Sequence, residues 1–209
     1  MSFQGVVEKL RRWIVEYPFS DLTSAEWESE YPDWPEVWSA AMEFTTNRPV
    51  KSWSVDEMDD MLFAIARDNE MGEVVLAVEV SSDTLIAVAT AALARGTPDA
   101  KWQLAAQLGE GAADQQQAVD LLLRFLDDAD EYVRRRALLA MGALRPEGIE
   151  TYVERAWQSG LEYQRIAALH VLAEAGSNQL AKYLQSAVDD GRVLVLAAAD
   201  RARQPDRLR

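Results

Sequence analysis

The strongest constraint on what this chain can fold into is that it repeats itself. Val133-Arg134-Arg135-Arg136-Ala137-Leu138-Leu139-Ala140-Met141-Gly142 meets Gln164-Arg165-Ile166-Ala167-Ala168-Leu169-His170-Val171-Leu172-Ala173 after a shift of 31. A shift of 33 the other way meets Ala100-Lys101-Trp102-Gln103-Leu104-Ala105-Ala106-Gln107-Leu108-Gly109. Each copy has a basic residue second, a small or apolar residue fifth, and Met or Leu followed by Gly or Ala at its end. Apolar residues recur with helical spacing. One helix pair cannot bury both of its apolar faces, so a recurrence of this length predicts pairs that stack and cover one another.

A second helix is predicted before each copy. Asp114 to Asp127 carries Val119, Leu122, Leu123 and Leu126 on one face, Glu147 to Gln158 carries Ile149, Tyr152, Val153 and Trp157, and Ser177 to Val188 carries Leu180, Tyr183, Leu184 and Val188. The last of these leads into a helix from Arg192 to Arg203, after Gly191. Upstream, Ser82 to Arg95 pairs with Asp99 to Leu108, and Val55 to Arg67 with Glu70 to Val80. About five antiparallel pairs result. No strand is expected. The one β-branched run, Val74-Val75-Leu76-Ala77-Val78, has neighbours that favour a short buried helix.

The pattern Asp-x-x-Val-Arg-x-x-Ala-x-x-Ala-Met-Gly at Asp130 to Gly142 resembles the HEAT-like repeats of the phycobilisome-lyase type, over roughly residues 55–203. That resemblance implies an all-α fold, a right-handed α-solenoid, with residues 55–209 as the array and 1–54 as an N-terminal cap. Proteins sharing such repeats include scaffolds, bilin lyases and DNA glycosylases, so function must be read from the surface.

The first 54 residues hold Trp13, Trp27, Trp34, Trp38 and Trp53, with Tyr17, Phe19, Tyr31 and Phe44 among them. Helices are expected at about 2–17, 24–30 and 35–46, separated by Pro18 and Pro32. Two readings stand: the rings cover the open end of the first repeat, or some form a partner-binding patch. Trp34 and Trp38, four apart on a helix, would point the same way.

The net charge is −14, and residues 1–60 and 61–130 each contribute −8 while residues 131–209 contribute +2. Such a surface repels phosphate backbones and attracts cations. Enzyme signals are weak. His170 is the sole histidine and there is no cysteine, which removes thiolate nucleophiles and most zinc sites. No Gly-x-Ser-x-Gly elbow, Walker loop or dinucleotide glycine loop occurs, so no catalytic residue, metal or cofactor is expected. Asp56, Glu57, Asp59 and Asp60 fit the acidic first turn of a helix rather than a calcium loop.

In a solenoid, the turns within successive pairs line up along one edge. Here they contain Asp68 and Glu70, then Asp99, then Asp127, Asp128, Asp130 and Glu131. Helix capping explains about one acid per turn, so these residues, with Trp34 and Trp38, are the expected partner-binding set. Lys101, Arg134 and Arg165 share one repeat position, where HEAT proteins place a structural ion pair with a neighbouring acidic turn. The functional expectation is a non-catalytic module that binds a basic protein, in one version an immunity protein covering a basic nuclease toxin. Alternatives are an assembly adaptor or chaperone, bilin-lyase-like tetrapyrrole handling, and nucleic-acid binding through a small basic patch near residues 134–165; the acidity disfavours the last. No apolar run is long enough to span a bilayer. Met1 to Tyr17 lacks the order of a secretory signal, so a cytoplasmic location is expected.

Overall fold

The computed structural model describes residues 1–17, 30–111 and 114–203. Most of the helix expected at 24–30, with Trp27 and Phe19, lies outside the described residues. Among the described residues there are twelve α-helices and no strand, and no helix is long and apolar enough to cross a membrane. The chain divides into two compact units, Met1–Asp114 and Gln115–Arg209. The described residues of the N-terminal segment fall in the same unit as residues 55–114.

The first unit contains α1 (Phe3–Glu16), α2 (Trp34–Asn47), α3 (Val55–Arg67), α4 (Glu73–Ala77), α5 (Ser82–Arg95) and α6 (Pro98–Gly111). Short 3-10 turns at Val50–Ser52 and Val78–Val80 join them. Helix α3 starts where its sequence dictates. The Ser54 side chain accepts from the Glu57 N–H at 3.1 Å and the Glu57 carboxylate accepts from the Ser54 N–H at 2.7 Å, a reciprocal cap that satisfies two donors the helix cannot. The β-branched run becomes α4 and its following turn, with Val74, Val75, Ala77 and Val78 buried. Helix α1 packs on α2 and α3, α2 packs on α4, and α6 packs on α3 and α5. Phe3 stacks on Phe44 at 5.1 Å between centroids, and Phe44 meets Trp53 at 4.7 Å. Ion pairs from Arg11 to Asp60 (2.9 Å) and from Arg48 to Glu57 tie α1 and the end of α2 to α3.

The second unit contains α7 (Gln115–Phe125), α8 (Glu131–Leu144), α9 (Ile149–Gln158), α10 (Glu162–Glu174), α11 (Leu180–Asp190) and α12 (Val193–Ala202). Helix α10 is its centre: α8 and α12 pack against it, as do α9 and α11. The repeated small residues explain the close approach. A Cβ on Gly142 would lie 2.8 Å from Cγ2 of fully buried Val171, closer than van der Waals contact, so α8 passes α10 where it has no side chain. At the α11–α12 turn Gly191 has φ of 72°, a left-handed conformation that favours glycine.

Candidate functional site

The expected acidic set separates into residues that face solvent and residues that hold the fold. Glu70 and Asp99 are exposed, Asp99 in the first turn of α6 beside a hollow of about 330 Å³ that also touches Arg11, Arg67 and Arg95. Asp68 is the correction. It is 2% exposed, and its carboxylate turns inward to accept the Val74 N–H at 2.7 Å, in the first turn of α4. Burial pushes its carboxyl up to about 6, against the partial relief given by the Val74 N–H and the Trp38 indole. The Trp38 indole N–H and the second Asp68 oxygen are both buried, and they interact from outside hydrogen-bond geometry. A carboxylate enclosed in this way cannot meet a partner.

In the second unit, Asp130 caps α8, accepting from Tyr132 N–H at 2.8 Å and Val133 N–H at 3.1 Å. Asp128 accepts from the Asp130 N–H at 2.9 Å and shapes the turn. Glu131 accepts from the amide of buried Gln164 at 3.0 Å. Asp127 is exposed and pairs at 2.5 Å with Arg155, which also donates to the Leu126 carbonyl at 3.1 Å. All four acids bond to their own turn or to the next pair, Asp127 through its surface ion pair with Arg155. Capping and inter-helix ties thus account for more of this cluster than one acid per turn.

Of the aromatic pair, Trp34 is a core residue at 4% exposure, against Tyr31 edge-on at 5.6 Å. Trp38 is half-buried and near-parallel to Trp34 at 6.3 Å, so the two do share a face. That face turns largely inward, and the aromatic and acidic candidates meet at Trp38 and Asp68.

At the shared basic position, Arg134 and Arg165 have structural duties. Arg134 donates to the carbonyls of Asp128 and Ala129, both at 2.8 Å. These sit just beyond α7, where unpaired carbonyls accumulate. Arg165 donates to the Trp157 carbonyl at 3.0 Å at the end of α9 and pairs with Asp190. The Asp190 side chain, 1% exposed, also takes Arg192 in two bonds of 2.7 Å. Those two guanidinium groups hold its carboxyl well below the usual carboxylate range, Arg192 having the larger effect, with burial opposing. The basic patch expected near residues 134–165 therefore loses Arg134 and Arg165 to the fold.

Compared with known proteins, the chain matches no family model, no curated protein and no solved structure. One grouping was not foreseen: Arg135 lies between the rings of Tyr132 and Tyr163, with its guanidinium carbon 4.5 and 4.6 Å from their centroids. The signal was present, because Tyr132 and Tyr163 are also 31 residues apart and so occupy one repeat position.

Proposed function

We propose that this chain is a non-catalytic helical-repeat binding protein whose first unit engages a cationic protein. The observation that carries this is the partition of charge. Residues 1–114 hold 21 acidic and 8 basic side chains, whereas residues 115–209 hold 14 and 13. Nearly the whole excess of negative charge belongs to one compact body, which raises the local concentration of a positive partner and speeds its docking. Glu70 and Asp99 are the members of the expected set that stay exposed there. The solenoid reading is supported by the side-by-side packing of α8, α10 and α12 at a constant sequence interval. An immunity protein covering a basic toxin is one form of this function, and an adaptor or chaperone for a basic subunit is another.

The test is an NMR titration of isotope-labelled chain with an oligolysine peptide. Shifts concentrated in residues 1–114 and weakened in the Glu70→Gln/Asp99→Asn variant are the expected result. Shifts spread evenly over both units would refute the assignment.

A further inference from the structure

The second unit carries a surface of the opposite character. Helices α8, α10 and α12 follow caps at Asp130, Leu161 and Arg192, spaced 31 residues apart. Tyr132, Tyr163 and Leu194 therefore occupy the same position on successive helices, and α10 packs against both neighbours. Tyr163 is 48% exposed and Leu194 45%, a large apolar surface for a helix start. Arg135 is gripped by the first two rings. Among the described residues it has no carboxylate partner and its N–H groups donate to nothing, in a chain with 35 acids and 21 bases. Beside it opens a hollow of about 310 Å³ lined by apolar Leu139, Ile166 and Ala167, with Arg136 and His170 also on its wall. His170 Nε2 lies 3.6 Å from a Glu174 carboxylate oxygen, one turn along the same helix.

We propose that this groove binds a peptide segment of a partner protein that carries a carboxylate beside an apolar side chain. Two tyrosine faces hold the guanidinium in place without neutralising it, so little ordering remains to be done on binding. A guanidinium so held presents a planar fork that a carboxylate meets with two parallel hydrogen bonds. The adjoining apolar lining takes the neighbouring apolar side chain, and the Tyr163 and Leu194 surfaces extend the contact along the row. Charge complementarity selects this occupant over a nucleic acid. A strand of phosphates needs several cations in register, whereas Arg134 is spent on carbonyls, Arg165 on Asp190, and Arg136 has other contacts. One uncommitted guanidinium matches one carboxylate. The proposal is independent of the acidic first unit, and its charge preference is the reverse.

The experiment is fluorescence anisotropy of the full chain with three labelled probes: a peptide alternating glutamate and leucine, its glutamine–leucine counterpart, and a short oligothymidylate. The glutamate peptide is expected to bind saturably and the glutamine peptide about tenfold more weakly or worse. The oligothymidylate is expected not to saturate. Arg135→Gln should weaken the glutamate peptide by about tenfold, and Tyr163→Ala, which keeps the charge, should weaken it too. Glu70→Gln in the other unit should leave it unchanged, with circular dichroism confirming helix content throughout. Equal binding of the two peptides, preference for the oligothymidylate, no binding of any probe, or full binding by folded Arg135→Gln would each overturn the proposal.

Discussion

Replacing Asp190 with asparagine destabilises the second unit by about 1–2 kcal/mol at neutral pH, less than the loss from a fully enclosed pair because both guanidinium groups stay partly solvated. The cause is local. Arg165 and Arg192 converge on a carboxylate whose side chain is 1% exposed, and Asp190 also accepts the Arg192 N–H at 3.2 Å at the start of α12. Asparagine keeps the shape but presents an amide N–H₂ to one guanidinium and leaves two like charges facing each other. Both arginines retain solvent contact, at 23% and 36% exposure, which holds the effect below the range for a fully enclosed pair. Because the folded carboxyl is depressed, the wild-type contribution is complete above about pH 4 and is lost as the pH falls through the depressed value. Amide hydrogen exchange in α9 to α12 reads this: protection should fall in the variant at pH 7, and the two proteins should converge in strong acid. Equal protection at pH 7 would show that the cluster does not hold those helices together.

Asp68 has the opposite sign. Its folded carboxyl is raised to about 6 by burial, so the native state keeps a proton that the unfolded chain releases near pH 4. Stability of the first unit should therefore fall as the pH rises from about 4 to 6 and then level off, a loss of about 3 kcal/mol for a shift of this size. Glu79, raised by burial and then by Glu110, acts in the same direction, so comparison with Asp68→Asn isolates Asp68. Asparagine can still accept the Val74 N–H through its carbonyl while carrying no charge. The variant should be more stable than the wild type at pH 7 and should lose most of the slope between about pH 4 and 6. Part of that gain is offset because the new amide N–H₂ meets the Trp38 indole N–H. Urea unfolding of both proteins across this range decides it. A wild type that strengthens steadily from about pH 4 to 6, or a variant that keeps the slope, would contradict the account.

What was legible in the sequence follows from what periodicity encodes. The range expected for α3, 55–67, is the one observed, and those for α2 and α5 differ by a residue at most, because caps such as Ser54 and Ser81 and the spacing of apolar residues act over one turn. The Arg165–Asp190 ion pair was foreseen in kind from the repeated basic position. The direction taken by an acid in a turn was not legible. Asp68 and Glu70 lie two residues apart in one turn, yet the first caps α4 from the interior and the second faces water. That choice depends on where α4 starts and on Trp38 arriving from α2, neither of which is local to the acid. Nor did the run Arg134-Arg135-Arg136 reveal that its members would go separate ways. Arg134 reaches back to the carbonyls after α7, while Arg135 meets a tyrosine supplied by the next pair. Only the packing of α8 against α10 brings that ring within reach.

The claim that the first unit recruits a cationic protein is tested most directly by capturing proteins from the source lysate on the immobilised chain at low and at high salt. Wild type is run beside the Glu70→Gln/Asp99→Asn variant, and the retained species are identified by mass. The account predicts one dominant basic protein that is released by salt and depleted on the variant. Retention of an acidic or neutral protein, indifferent to both salt and substitution, would contradict it.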